Sequence, residues 1–178
     1  MSGFIPGFNN TVNEKAQFYM DLAAQAASLL EGQRNLVTNT ANISSLVYHS
    51  LLETPLRSDK PVNWVGFYLL DAQKPGSLLL GPFQGKPACT EIAFGRGVCG
   101  TAAKEVRTVV VDDVHAFEGH IACDSASQSE IVVPLKTPDG VVQGVFDIDS
   151  TALDAFDEYD RIGLEAIANL VVEASDFR

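Results

Sequence analysis

The sequence predicts an α+β domain with a central antiparallel β-sheet of about five or six strands. Stretches with helical spacing of apolar residues lie at both ends of the chain, and β-branched and aromatic stretches lie between them. A Pro-Asp-Gly turn at 138–140 joins two of these stretches directly. We expect the terminal helices to pack on one face of the sheet and the loops to cover a pocket on the other. The 178 residues predict a single domain over 1–178, with no role assigned to an N-terminal extension at 1–10.

Three helices follow from the apolar spacing and from the residues at their ends. The first is predicted over 13–31, with Gly32 as its C-cap, and the second over 34–53, closed by Pro55. Asp157 can cap the last helix. The expected apolar face of that helix consists of Tyr159, Ile162, Ala166, Ile167, Leu170 and Val171.

The middle of the chain reads as strands separated by turns and loops. The predicted strands are 62–70, 77–80, 91–94, 107–111, 131–135 and 141–148. Residues 81–88 are rich in glycine and proline and predict a loop, and 98–105 predict a short helix. A long polar loop is expected over 112–129.

The charge of the chain limits its partners. A formal net charge of -11, with no run of Lys or Arg, argues against nucleic acid and anionic membrane surfaces. The start of the chain lacks the basic and apolar regions of a signal peptide, and no apolar stretch approaches the roughly 20 residues of a membrane helix. We therefore expect a cytoplasmic protein that favours a cationic group on a small ligand.

Three cysteines, Cys89, Cys99 and Cys123, lie in or beside glycine-bearing, loop-like stretches. In a reducing cytosol an odd number of cysteines suggests free thiols, a metal site or redox chemistry. Three unrelated buried thiols remain an alternative, as does a zinc site that includes His115 or His120. Zinc ligands usually come in closely spaced pairs, whereas these cysteines are ten and twenty-four residues apart, so redox chemistry is favoured.

An acidic cluster and an aromatic wall complete the candidate site. Asp147 and Asp149 point to the same face if their segment is extended, and Glu130 begins the strand that is expected to pair with it. The alternative is a solvated strand edge. Trp64 and Tyr68 also share a strand face, although Trp64 alone is typical of a core residue. Carboxylates beside aromatic rings predict a site for a small amphiphilic cation.

Between those aromatic residues, Gly66 is expected to leave room above the backbone, while Phe67 faces the core. A thiol near such a pocket can attack an electrophilic sulfur while an acid protonates the departing oxygen. The resulting sulfenic acid condenses with a second thiol to a disulfide, which an external dithiol then reduces.

Six segments carry a family resemblance: 63–68, 81–89, 95–101, 119–124, 129–134 and 147–150. Through them the chain, over about 60–152, resembles the free methionine-(R)-sulfoxide reductases, which are built on a single GAF domain. The resemblance implies a GAF-like fold, free methionine-(R)-sulfoxide as substrate, thioredoxin as reductant, no bound cofactor and often a homodimer. The matching positions are Cys89, Cys99 and Cys123, the aromatic residues Trp64 and Tyr68, and the carboxylates Glu130, Asp147 and Asp149.

The order of the thiols is predicted with Cys123 as nucleophile, Cys89 as principal resolving thiol and Cys99 as the next candidate. The loop that carries Cys123 leads directly into Glu130, which is the expected acid. Cys99 has a rival claim, because a helix start beside it could stabilise a thiolate. A GAF module that senses a ligand without catalysis is the alternative function.

Overall fold

The computed structural model describes residues 10–120 and 124–177. Its helices are α1 (Asn10–Leu30), α2 (Leu36–Glu53), α3 (Gly97–Glu105) and α4 (Glu158–Ala174). Its strands are β1 (Val62–Leu70), β2 (Ser77–Gln84), β3 (Glu91–Ala93), β4 (Val109–Val111), β5 (Ser129–Lys136) and β6 (Val142–Ser150). Short 3-10 turns span Pro55–Arg57 and Val114–Ala116. None of the helices in these two ranges combines the length and apolarity needed to cross a bilayer.

The six strands form one antiparallel sheet in the order β3-β2-β1-β6-β5-β4. Strands β1, β6 and β5 lie at its centre, so each of them is paired on both sides. The predicted α+β class and the predicted sheet are therefore confirmed. Helices α1 and α2 precede the strands in the chain, and α4 follows them.

The helices α1, α2 and α4 bury one face of the sheet in the main hydrophobic core. Leu22, Ile43 and Leu164 from these helices pack in one cluster with Phe67 and Phe146 from the sheet. The rings of Phe67 and Phe146 stack at 4.5 Å between centroids. Phe67 therefore faces the core, as the alternation of strand residues predicts.

The opposite face of the sheet carries a second, smaller cluster under α3 and the loops. Trp64, Tyr68, Cys99 and Val132 are among its buried members. Because successive strand residues alternate between faces, β1 and β6 supply both clusters. The pocket side and the helix side of the sheet are arranged as the sequence predicts.

The prediction of a loop over 81–88 is wrong for its first half, because β2 continues to Gln84. Its pairing with β1 shifts register between Gly66 and Tyr68, which absorbs an extra residue and lets Phe83 pair with Gly66. The predicted short strand 77–80 is therefore only the first half of β2. At the other edge of the sheet, 107–111 begins as a strand only at Val109.

The expected apolar face of α4 is also partly wrong. Ile162 is 53% exposed, and Ala166 is exposed as well. The helix buries the predicted Ile167 and Val171. It also buries residues outside the predicted face, namely Asp160, Gly163, Leu164, Ala168 and Val172. Gly163 lies against the Tyr19 ring, where an added Cβ would come within 2.2 Å of Cγ, and this close contact with α1 helps to set the orientation of α4.

A buried ionic cluster at Asp160 joins α1, the first 3-10 turn and α4. The Oδ1 atom of Asp160 accepts hydrogen bonds from Tyr19 Oη at 2.6 Å and from Arg57 Nη1 at 3.0 Å. Its Oδ2 atom accepts from Lys15 Nζ at 2.6 Å. Asp157 caps the helix, as predicted, and forms a capping box with Asp160. The cluster explains why a carboxylate occupies the buried face of α4, since every charge in it is paired.

Candidate active site

A cavity of about 50 Å³ lies on the face of the sheet opposite the terminal helices. Strands β1, β5 and β6 form its floor, and α3 with the flanking loops forms its walls. The lining residues are Trp64, Tyr68, Pro87, Ala88, Ile92, Arg96, Gly97, Val98, Cys99, His120, Asp124, Ser127, Glu130, Asp147 and Asp149. Its lining combines apolar and aromatic side chains with a few convergent polar groups, which is typical of small-molecule sites.

Strand register brings the three predicted carboxylates together on the cavity floor. Glu130 of β5 is the direct partner of Asp149 of β6, and Asp147 lies two residues further along the same face. Glu130 and Asp147 are each only 6% exposed. The alternative of a solvated strand edge is therefore wrong.

The environment of this cluster opposes negative charge. Burial raises the pKa of Asp147 well above its usual value, and the neighbouring Asp149 and Glu130 charges raise it further. Burial and the Glu130 charge likewise raise the pKa of Asp149. The Oδ1 atom of Asp147 is buried and has no hydrogen-bond partner among the described residues. An unpaired acceptor among like charges suits a ligand that brings a positively charged donor.

Cys99 lies in the first turn of α3 and points into the same cluster. Its Sγ atom is 3.9 Å from Glu130 Oε1, and the residue is a buried free cysteine. Burial raises the pKa of the Cys99 thiol well above its usual value, and the Asp147 and Glu130 charges add to this effect. A helix N-terminus stabilises an anion by about 0.3–1 kcal/mol, which is too little to offset burial beside carboxylates. The helix start expected beside Cys99 is present, but burial and the neighbouring carboxylates favour the protonated thiol over the thiolate.

Of the other two cysteines, Cys89 and Cys123, the structure describes only Cys89. Cys89 follows β2, is partly buried against the pocket-side cluster, and is disulfide-bonded. Cys123, the predicted nucleophile, lies outside the described residues. Of the three predicted cysteines, the structure therefore gives the positions of Cys89 and Cys99, and their roles remain a prediction.

Of the two histidines considered as zinc ligands, only His120 lies at the cavity. His120 lines the cavity, and its Nε2 atom is 3.5 Å from Glu130 Oε2. His115 is exposed and does not line it. Asp124 is the first described residue after Cys123, and it accepts a hydrogen bond from Asn63 Nδ2 at 3.1 Å. The loop segments on both sides of Cys123 are thus held against the cavity floor and wall.

The aromatic wall is formed by stacked rings on β1 and β2. The Trp64 ring lies 5.8 Å from Tyr68 and 5.1 Å from Phe83, and Trp64 Nε1 donates to the Lys86 carbonyl at 3.1 Å. Trp64 is 3% exposed, so it is both a core residue and a lining residue. The room expected above Gly66 is absent, because a Cβ there would lie 2.3 Å from Phe83 Cβ.

The chain is similar over most of its length to proteins of known family. A family model described as a GAF domain matches 38–175. A free methionine-R-sulfoxide reductase of Escherichia coli is 43% identical over 167 residues, which are 92% of this chain and 94% of that protein. A Saccharomyces cerevisiae protein of the same name is 43% identical over 164 residues, covering 92% of this chain and 89% of its own. This chain belongs to the free methionine-R-sulfoxide reductase family of GAF domains.

Among solved structures of free methionine-R-sulfoxide reductases, one from Neisseria meningitidis was determined in complex with its substrate. It is 39% identical to this chain and superposes with a TM-score of 0.81, covering 98% of this chain and 95% of its own. A GAF domain structure with 41% identity superposes with a TM-score of 0.86. The resemblance inferred from the six segments is therefore confirmed, together with the fold.

Sequence reasoning missed parts of the reductase-family pocket that depend on the fold. It assigned no role to Arg96, an exposed cation that lines the cavity, although the Gly-Arg-Gly break at 95–97 marks the position. It also missed Phe83 as part of the aromatic wall, because 81–88 reads as a loop. The contact between His120 and Glu130 could not be found from spacing, since it joins a loop to a strand.

Proposed function

We propose that this chain reduces free methionine-(R)-sulfoxide to methionine through a cysteine sulfenic acid and an intramolecular disulfide. The observation that carries the proposal is the buried carboxylate cluster, with one unpaired oxygen, in a pocket that also holds a thiol and stacked aromatic rings. Family membership supports the reaction class. Thioredoxin is the proposed reductant, and the proposed assembly is a cytoplasmic homodimer.

The substrate ammonium is assigned to Asp147 and Asp149. The alternating strand register aims both carboxylates into the cavity, and Asp147 Oδ1 lacks a donor. An ammonium group supplies three donors and a positive charge, which satisfies that oxygen and offsets the repulsion within the cluster. A methionine residue inside a peptide lacks this group, so the pocket selects the free amino acid.

Other lining residues suit the remaining parts of the substrate. Trp64 and Tyr68 offer apolar area and ring faces to the S-methyl group and to the partly positive sulfur. Arg96 provides a cation at the pocket wall for the carboxylate of a free amino acid. Glu130 is the proposed acid at the sulfoxide oxygen, with His120 Nε2 3.5 Å from its other oxygen.

The proposed chemistry needs two enzyme thiols. The Cys123 sulfur attacks the sulfoxide sulfur, Glu130 protonates the sulfoxide oxygen, and collapse leaves methionine and a sulfenic acid on Cys123. The Cys89 thiol then condenses with this sulfenic acid, which forms the S–S bond and releases water. Thioredoxin donates the two electrons and two protons that regenerate both thiols.

Two features support this order of thiols over one that begins at Cys99. Burial beside carboxylates raises the pKa of Cys99, and a protonated thiol is a weak nucleophile. Cys89 is able to form a disulfide in this fold and is disulfide-bonded in the structure. Cys99 is therefore assigned to the pocket wall, with resolution as its secondary role.

A single-turnover assay tests the order of thiols directly, because reduction of one sulfoxide needs only the nucleophile. Cys123→Ser should yield no methionine, whereas Cys89→Ser should yield a full equivalent and then fail to recycle with thioredoxin. Cys99→Ser is the matched control and should retain single turnover. Methionine from Cys123→Ser, with none from Cys99→Ser, would show that the nucleophile is Cys99.

Substrate selectivity tests the ammonium assignment. Thioredoxin-linked NADPH consumption should be fast with free methionine-(R)-sulfoxide and slow with the S epimer or with an N-acetylated, amidated sulfoxide. Comparable rates with the blocked compound would refute the proposed role of the carboxylates. Light scattering in the same buffer measures the oligomeric state.

A ligand-sensing GAF module without catalysis is the competing function. Three carboxyl groups lie on the cavity floor, and those that are ionised repel a phosphate, so a cyclic nucleotide is a poor occupant of this pocket. Binding of a cyclic nucleotide, without any turnover of methionine sulfoxide, would favour that function.

A further inference from the structure

The carboxylate cluster and Cys99 together have the composition of a metal site. One ligand atom from each of Cys99, Glu130 and Asp147 lies within 4.8 Å of the other two, and all three residues are buried. They come from α3, β5 and β6, which are far apart in sequence. The sequence spacing that argues against zinc therefore does not apply to this group, because the fold assembles it.

The distances within the group suit a small tetrahedral ion. Zinc binds Cys sulfur, His nitrogen and carboxylate oxygen at about 2.0–2.3 Å, which places ligand atoms on one ion roughly 3.3–3.8 Å apart. Cys99 Sγ lies 3.9 Å from Glu130 Oε1, and His120 Nε2 lies 3.5 Å from Glu130 Oε2. The Cys99 pair is thus within a few tenths of an ångström of zinc geometry. His120 contacts the other oxygen of Glu130, so it reaches the same ion only by a larger movement of its side chain.

A second observation indicates that this group lacks a ligand. Only 6% of Asp147 is exposed to solvent, and its Oδ1 atom has no hydrogen-bond partner among the described residues. Lysine and arginine, which pair most buried carboxylates, are replaced at this position by a thiol and other acids. A cation that accepts electron pairs from oxygen and sulfur satisfies Asp147 Oδ1 directly.

We propose that Cys99, Glu130 and Asp147 form a site for Zn²⁺, with His120 as the fourth ligand, and that Zn²⁺ in this site excludes the substrate. The soft thiol selects a thiophilic ion over Mg²⁺, which prefers six oxygen ligands and retains its waters. Exclusion of substrate rests on the proposed function, because the ammonium of methionine sulfoxide is assigned to the same carboxylate. The binding of Zn²⁺ itself does not rest on it.

The test uses the full-length oxidised protein, in which Cys89 is already bonded to another sulfur. Alkylation and mass spectrometry first verify that one thiol per chain remains. Titration with Co²⁺, as a spectroscopic probe for Zn²⁺, should then give one ion per chain and a thiolate-to-metal charge-transfer band. Zn²⁺ should displace Co²⁺, and Mg²⁺ should not.

Variants separate coordination from simple attraction by negative charge. Cys99→Ser should abolish the charge-transfer band, and Asp147→Asn should weaken Zn²⁺ binding at least about tenfold. Asp149→Asn removes the same charge from the same pocket outside the three-ligand group, so it should keep the band and lose less affinity. Circular dichroism verifies folding, and Cys99→Ala serves if Cys99→Ser does not fold.

The outcomes distinguish this proposal from the proposed function. Free methionine sulfoxide should weaken Zn²⁺ binding in proportion to its concentration, and Zn²⁺ should inhibit the reductase competitively. A band that survives in both folded Cys99 variants, or equal effects of Asp147→Asn and Asp149→Asn, would overturn the zinc site. Zinc binding through Cys99 in a protein that never reduces methionine sulfoxide would support the zinc site and refute the proposed function.

Discussion

Replacement of Asp147 by Asn should make the protein more stable and its substrate binding weaker. The change preserves the shape of the side chain and removes one charge from the buried cluster with Glu130 and Asp149. Asp147 Oδ1 is buried without a partner, and an unsatisfied buried polar group costs about 1–3 kcal/mol. The amide nitrogen of Asn in this place can donate to the neighbouring carboxylates, so a paired donor replaces the unpaired acceptor. In the absence of ligand, the free energy of unfolding should therefore rise by about 1–3 kcal/mol in Asp147→Asn.

The corresponding shift in melting temperature is measurable. For a chain of this size, 1 kcal/mol corresponds to about 2–4 °C, so Asp147→Asn should melt about 2–12 °C higher than the parent. The same change removes the proposed charge-assisted hydrogen bond to the substrate ammonium, worth about 1.5–3 kcal/mol. The KM for methionine sulfoxide should consequently rise about 10-fold to 150-fold.

Differential scanning calorimetry and steady-state kinetics on the same preparations measure both effects. Asp59→Asn is the matched control, because Asp59 is exposed on the surface. This substitution should change the free energy of unfolding by less than about 0.5 kcal/mol. A lower melting temperature in Asp147→Asn would show that the carboxylate has a stabilising partner. A higher melting temperature with an unchanged KM would refute the ammonium assignment and leave the stability argument intact.

Three further variants test other parts of the structure. Asp160→Asn should lower the free energy of unfolding by about 3–5 kcal/mol in urea denaturation, because it leaves the buried Arg57 guanidinium without its charged partner. An unchanged denaturation midpoint would contradict that expectation. Gly66→Ala should cost about 1–3 kcal/mol in thermal denaturation, since its Cβ would lie 2.3 Å from Phe83 Cβ and 2.9 Å from Phe83 Cα; a stability equal to the parent would mean that β2 yields easily. Trp64→Ala should lower kcat/KM at least about tenfold, or about 1.4 kcal/mol. If the folded variant keeps full kcat/KM, the Trp64 ring belongs to the core alone.

Periodicity predicted the central strands and their faces well because those faces are set by local alternation. Asp147 and Asp149 share a face in any extended segment, and the hairpin turn at 138–140 fixes their pairing with β5. The carboxylate cluster could therefore be predicted before the fold was known. The same alternation placed Trp64 and Tyr68 on the pocket side.

Features that depend on distant partners could not be predicted in the same way. The buried face of α4 is set by Asp160 and its partners on α1 and the first 3-10 turn, more than 100 residues earlier in the chain. An isolated helical pattern treats such an aspartate as solvent-exposed. Similarly, the carboxylates around Cys99 come from β5 and β6, so its raised pKa has no signal in the residues next to it.

The acidic face of β6 also protects the protein during folding. Phe146 and Ile148 enter the helix-covered core, while Asp147 and Asp149 alternate with them on the other side. A slip of one residue in the pairing of β6 would exchange the two sets and move two carboxylates into a core of aromatic and aliphatic side chains. Such a misaligned sheet is so unfavourable that it would not persist. The acids to which we assign the substrate ammonium therefore also enforce the alignment of the strand that carries them.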